Sequence, residues 1–294
     1  MLSSFQSSDS WVILSPIEAS IKAKIESVGT PLRDWDIKIN RGVLTGLNEA
    51  FIISTEKRDE ILSNCKDEDE RRRTAELIRP ILRGKDIRRY SCKWANLWLV
   101  YIPWHFPLQK DDSIQGASHS AEKEFLRQYS SVYSYLLTYK DALEARNKAE
   151  TGIRYEWYAL QRWGSNYWDD FNKQKIVWGN LNLKASYTIA PAGMFISAPS
   201  NMIVPASEFL LAVLNSKLAD FYIRNLGVTR NGGYFEYKPM FVEQLPVPRK
   251  NEKNECYEDI FFNAKTSFTD IDAFVYSIYG LDENEILFIE KQEK

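Results

Sequence analysis

Histidine is scarce. Only His105 and His119 occur in 294 residues, which excludes most metal-hydrolase layouts, because those draw on clustered imidazoles. The three cysteines, Cys65, Cys92 and Cys256, stand far apart and form no CxxC. They read as reduced thiols of a cytoplasmic protein, with neither a disulfide frame nor a zinc site. No segment approaches the ~18 uninterrupted apolar residues of a membrane helix. The N-terminus, MLSSFQSSDSWVILSP, has no basic start and no long apolar run, so no secretion signal is expected. Together these absences predict a cytoplasmic chain with no membrane partner.

Catalytic signatures are missing too. A GxxxxGK[ST] phosphate loop fails at Gly84-Lys85, where Asp86 follows and the earlier glycine is lacking. No GxGxxG and no GxSxG occur. Nor is there an NPPY-like or DPPY-like motif, with which a methyltransferase acting on an exocyclic amine accepts the amino group of a flipped base. Asp34-Trp35-Asp36-Ile37-Lys38 is a DxDxK string similar to those of metal-dependent nucleases, where carboxylates hold Mg²⁺ and a lysine supports the attacking water. Its ordinary reading is a surface-facing strand edge of alternating charge. The expectation is that this chain alone is not an enzyme, with no catalytic residues and no bound metal.

What is present is aromatic. The chain holds 9 Trp, 16 Tyr and 15 Phe within a hydrophobic content of 44%, too apolar for disorder. So many rings suit a thick core or a stacking surface. Net charge is −2, whereas a free-standing nucleic-acid binder is usually basic overall. The distribution of charge therefore matters more than its sum.

Local signals divide the chain. Ser15-Pro16-Ile17-Glu18 has the form of a capping box with proline at the first helical position. A helix is expected over 16–27, with Ile17, Ile21 and Ile25 on one face and Gly29 as its stop. WDIKIN (35–40) and AFIIS (50–54) read as strands, so a hairpin or bulged turn is expected across Gly42 and Gly46, from Arg41 to Asn48. Residues 56–81 read as helix ending at Pro80, 83–93 as a loop, 97–102 as a strand and 121–148 as a long helical stretch. Further strands are expected at 175–180, 187–191 and 194–199, and an amphipathic helix at 207–227 stopped by Gly227. Residues 229–248 read as a glycine turn, a strand and a Pro-bounded exit. The tail, 256–292, reads as helical, with Ile271, Phe274, Val275 and Ile278 at helical spacing and Gly280 before a second short helix. Strands and helices mix without a regular βαβ beat, so the expected class is α+β: a mixed sheet with inserted helices and a C-terminal helical tail. The expected division is a flexible segment 1–15, a main domain 16–248, and a linker with helical tail 249–294.

Three clusters could meet a polyanion. Residues 83–93 carry Arg83, Lys85, Arg88, Arg89 and Lys93 against one acid, Asp86, which fits phosphate contact by long donors and exposed amides. The alternative is a solvated loop neutralised by the acidic run Asp67, Glu68, Asp69, Glu70. GIRYEWYALQRWGSNYW (152–168) interleaves Arg154, Gln161 and Arg162 with tyrosines and tryptophans. Arginine reads guanine edges, glutamine reads adenine and aromatic faces stack on bases, though the tryptophans also suit a core. Thr229-Arg230-Asn231-Gly232-Gly233-Tyr234 permits close backbone approach to a polymer or makes a plain hairpin turn.

These pieces resemble a known family. INRGVLTGLNEAFIIS, IRPILRGKDIRRY and LWLVYI are followed in order by YLLTYKDALEAR, WYALQRW, KQKIVWGN, LLAVLNSKLADFYIR and GGYFEYKPMFVEQLPVP. They are similar to the TaqI-like C-terminal specificity (target recognition) domain of bacterial adenine-specific DNA methyltransferases and of type IIG restriction-modification enzymes, over roughly residues 16–290. The resemblance implies sequence-specific recognition of double-stranded DNA. It also implies an attached or partner catalytic domain or subunit that binds S-adenosylmethionine, while this chain itself binds no cofactor. The expected DNA contacts are Thr45, Lys85, Arg88, Arg89, Arg154, Gln161, Arg162, Arg230 and Asn231, with Asn48 and Glu49 bracing the turn. Two other functions remain open: a nuclease built on Asp34, Asp36 and Lys38, and a subunit-assembly module using the tail.

Overall fold

The computed structural model describes residues 14–227, 229–230, 232–249 and 268–292. Two four-stranded sheets organise it, each beside its own apolar core.

The first sheet is antiparallel throughout, in the order Tyr187–Ala190, Lys175–Trp178, Asn201–Val204, Lys38–Arg41. Its central strands, KIVW and NMIV, are buried along their whole length, as β-branched and aromatic residues favour. Side chains alternate along a strand. Ile176, Trp178 and Ile203 accordingly join one core, while Val177 and Met202 join the other.

The helices Pro16–Val28, Glu208–Asn215 and Lys217–Leu226 supply the first core, together with the two tail helices Phe268–Ile278 and Glu283–Lys291. The capping box forms as the sequence predicts: Ser15 Oγ accepts from the Glu18 N–H, and Glu18 reaches back to the Ser15 N–H at 2.8 Å. Gly29 caps the other end.

The second sheet runs Phe195–Ile196, Ile78–Leu82, Leu97–Val100, Ile52–Ser54, with only the Phe195–Ile196 pairing parallel. Against it pack Thr55–Ser63, Glu68–Leu77, His119–Gln128, Ser130–Leu137 and Lys140–Ala145. Glu70 is fully buried and clamps two of these helices, accepting from the Ser130 hydroxyl at 2.8 Å and the Ser131 N–H at 2.9 Å. Burial pushes the Glu70 carboxyl up, but the Ser131 and Lys66 amides and the Ser130 hydroxyl outweigh it, so it stays below the usual carboxylate range.

Several expectations are corrected. The two strands flanking the glycines are not a hairpin. Lys38–Arg41 pairs with Asn201–Val204 in the first sheet, whereas Ile52–Ser54 pairs with Leu97–Val100 in the second. AFIIS begins as a helical turn, Asn48–Phe51, before it becomes strand. Pro80 lies inside the strand Ile78–Leu82, and the helix before it ends at Leu77. There the pairing passes from Leu97–Val100 to Phe195–Ile196, so the amide that proline lacks falls where the ladder changes partner. The stretch 121–148 is three helices. The stretch 207–227 is two, divided at Ser216, whose hydroxyl caps the second by accepting from the Ala219 N–H at 3.1 Å.

The tail docks on the body. Ile271, Val275, Tyr276, Tyr279 and Ile289 are buried in the first core. Tyr279 donates to the Pro246 carbonyl at 2.7 Å, Asp272 accepts the Lys217 N–H at 2.8 Å, and Glu285 meets Lys24 at 2.5 Å. The buried face of the tail is thus turned onto the chain's own helices. Among the described residues no helix is long and apolar enough to cross a membrane.

Candidate nucleic-acid interface

The glycine passage is the seam between the sheets. Leaving the first sheet, Gly42 N–H donates to the Ser200 carbonyl and Val43 N–H to the Ile196 carbonyl, both at 2.8 Å. Leu44 then exchanges two 2.9 Å hydrogen bonds with Arg162. A Cβ on Gly42 would stand 2.5 Å from the Ile196 carbonyl oxygen, so only glycine lets the backbones approach this closely. Gly46 has φ +78°, with Arg146 and Gln161 side chains pressed against it. The glycines thus serve close packing between chain segments rather than the hairpin expected across them.

Arg146 locks the far end of this passage. Its guanidinium donates to the carbonyls of Thr45 (2.6 Å), Trp157 (3.0 Å) and Ala159. It also lies 5.4 Å from the Phe51 ring and 5.6 Å from the Tyr155 ring. Burial pushes it down to about 10, so it remains a cation at neutral pH. Thr45 itself is only 2% exposed and its hydroxyl donates to Asn48 at 2.7 Å, so its side chain is turned away from solvent.

The basic segment 83–93 is a short hairpin, Ile87–Arg88 against Ser91–Cys92. Its five cations are not equivalent, and Lys93 is exposed at the hairpin's end. Arg83 closes on Asp86 at 2.8 and 2.9 Å. Arg89 faces Asp272 of the tail at 3.7 Å and its own neighbour Tyr90. Lys85 and Arg88 are exposed. Among the described residues Arg88 donates only to backbone carbonyls, those of Lys85 and Ile87. Among the described residues neither Lys85 nor Arg88 has a carboxylate partner. The acidic run does not neutralise them. Glu68 and Asp69 pair with Arg71 and Arg72, Asp67 caps its own helix and Glu70 is buried.

The hairpin lies against the seam. A Cβ on Gly84 would stand 3.3 Å from the Ser200 hydroxyl and 3.9 Å from the Gly179 backbone. Ser200 in turn accepts from Gly42, and Asn201 donates to Asn180 at 2.5 Å. Arg41, paired in register with Asn201, is exposed and has no carboxylate partner among the described residues. It lies near Tyr167, whose phenol burial raises and Arg41 lowers. Arg41, Asn180 and Asn201 were not singled out from sequence. The signal for Arg41 was available, as a cation immediately before Gly42.

The other expected arginines are held by acids. Arg154 and Arg162 share Glu150, at 2.9 and 2.8 Å. Arg230 shares Glu236 with Lys238, at 2.5 and 3.0 Å. Gln161 is half-buried beside Gly46. Asn231 lies outside the described residues. The structure thus brings Arg162 and Gln161 to the seam, with Lys85 beside it. Most aromatics of 152–168 are core: Tyr155 and Tyr158 are fully buried and Trp157 is 6% exposed, while Trp168 remains half open. Asp34 and Asp36 are exposed. Among the described residues no group of three or more His, Cys, Asp or Glu could hold a metal ion.

Comparison with known proteins agrees with this architecture. Residues 79–247 match the TaqI-like C-terminal specificity domain. The type II methyltransferase M.MjaIV of Methanocaldococcus jannaschii is 23% identical over 240 residues, covering 78% of this chain and 72% of the relative. The fold is shared with the type IIL restriction-modification enzyme MmeI, solved in complex with DNA, at TM-score 0.51 and 13% identity over 89% of this chain. It is shared also with the type IIG restriction endonuclease BpuSI, at TM-score 0.55 and 13% identity over 94%. This chain spans only 36% and 31% of those two proteins. Since the matched stretch exceeds half of the 294 residues, the chain belongs to the TaqI-like C-terminal specificity domain family.

Proposed function

We propose that this chain is the sequence-specific duplex-DNA recognition module of a restriction-modification system. The observation that carries the reading is the set of cations at the seam, Arg41, Lys85 and Arg88, exposed and without carboxylate partners among the described residues. Beside them the backbones of Gly84 and Gly179 lie close together, and Ser200 lies between Gly84 and Gly42. Long exposed donors suit phosphate contact, which positions a protein on DNA without reading sequence. Base reading then falls to Gln161, Arg162, Arg154, Arg230 and Asn231.

Residues 16–248 act as the recognition unit in this reading, which the pairing of Thr30–Pro31 with Pro246–Val247 supports. Methyl transfer, with S-adenosylmethionine, belongs to an attached domain or a partner subunit in the same cytoplasm. The chain offers neither GxGxxG nor an NPPY-type motif for that chemistry.

The test is selection by the full chain from a duplex library with a randomised core, together with affinity across a salt series. Three phosphate contacts predict log K falling with log salt at a slope of about −3, roughly 0.9 per contact, and a recurring sequence among the retained duplexes. Absence of duplex binding at low salt, with tight binding to a methyltransferase subunit, would overturn this reading in favour of assembly.

A further inference from the structure

Glu150 is 15% exposed, and three side chains converge on its carboxylate. Arg162 grips it with both terminal nitrogens, at 2.8 Å each, while Arg154 adds a bond at 2.9 Å and Asn147 one at 2.9 Å. Both guanidinium groups also lie over Trp104, at 5.4 Å for Arg154 and 5.8 Å for Arg162. That ring is fixed by stacking on Tyr155 at 4.8 Å and by donating to the Leu160 carbonyl. Arg162 is further pinned by its backbone bonds to Leu44 on the seam.

The end-on fork of an arginine is the edge that matches the acceptor pair O6/N7 of guanine or two oxygens of a phosphate. In this chain that edge of Arg162 is already filled. The arrangement recurs at Glu236, 4% exposed, which holds Arg230 and Lys238. Arg154 and Arg162 belong to the cluster whose composition suits base reading, and Arg230 to the glycine-rich cluster. Among the described residues the hairpin cations Lys85 and Arg88 have no such acid.

We propose that Glu150 is a specificity-determining residue: an internal acceptor that occupies the forks of Arg162 and Arg154 and withholds them from random phosphates. A lone phosphate must compete with a carboxylate already partly shielded and gripped by three side chains. A correctly placed base edge, presented once the hairpin cations have seated the duplex, offers the bidentate geometry that displaces it. Glu150 therefore lowers random-sequence affinity while leaving recognition of the proper site intact. This inference rests on the DNA-recognition reading above.

The test compares the wild-type full chain with Glu150→Gln, using a random-sequence duplex over a salt series and selection from the randomised library. Glutamine keeps the size but cannot take two guanidinium groups. The expected result is tighter binding to random duplex, a salt slope steeper by about 1–2 and a preference weakened roughly tenfold at one selected position. Adding Arg162→Ala should abolish the gain. If Glu150→Gln fails to fold, Glu150→Asp carries the test, since it keeps the charge, withdraws it by one methylene and is expected to give a smaller change of the same sign. Unchanged slope and selectivity in a folded variant would overturn the inference while the recognition reading stands. A wild-type chain with no salt-dependent duplex binding would remove both.

Discussion

Arg146→Met is expected to destabilise the chain by about 3–5 kcal/mol, seen as a lower denaturant midpoint with an unchanged slope. Methionine keeps the apolar stem against Phe51 and Tyr155, so the loss isolates the guanidinium. Without it the carbonyls of Thr45, Trp157 and Ala159 have no donor where water does not reach. Each such orphan costs about 1–3 kcal/mol. Arg146→Lys should recover only part, because one ammonium cannot span three acceptors as a planar fork does. A loss under about 1 kcal/mol for the methionine variant would show that these carbonyls find water and that Arg146 does not lock the seam.

Gly42→Ala is expected to cost about 1–3 kcal/mol. The new methyl would lie 2.5 Å from the Ile196 oxygen, 2.6 Å from the Ser197 carbonyl carbon and 2.8 Å from the Ala198 nitrogen. These are backbone atoms of a neighbouring segment and cannot rotate aside. Gly152 provides the contrast: it has φ +74° with nothing within 4 Å of a built Cβ, so Gly152→Ala meets backbone strain alone, about 1 kcal/mol. Equal losses at the two positions, by chemical denaturation, would contradict the packed seam. Beyond stability, Gly42→Ala should weaken duplex binding in molecules that remain folded, because widening the seam moves Arg41 relative to Lys85.

Local signals in the sequence carried much of the fold, and distant pairings did not. The Ser15–Glu18 capping box, the stops at Gly29 and Gly227 and the buried strand KIVW depend on neighbours within a turn or two, and all were legible. The strands flanking the glycines were visible as strands, but each takes its partner from far along the chain: Lys38–Arg41 from Asn201–Val204, and Ile52–Ser54 from Leu97–Val100. Register across such distances is set by tertiary packing, which alternation cannot supply. NMIV escaped notice because Pro199 and Pro205 bracket it and its run is short.

The candidate site divides in the same way. Arg154 and Glu150 stand four residues apart and could have been paired from sequence. Arg162 reaches Glu150 from twelve residues away, and Arg89 reaches Asp272 from the tail. Which cations keep a carboxylate is therefore a property of the folded surface. A count of basic residues in 83–93 could not separate Arg83 and Arg89 from Lys85 and Arg88.

The salt dependence of duplex binding by the Lys85→Ala/Arg88→Ala variant, set beside that of the wild-type full chain, tests the central claim most directly. Both residues are exposed, so folding should be unaffected and the comparison is clean. If these cations contact phosphates, affinity falls for specific and random duplexes alike, and the salt slope becomes shallower by about 2, roughly 0.9 for each lost contact. If slope and affinity match the wild type, the hairpin is solvated surface and the duplex does not lie along the seam.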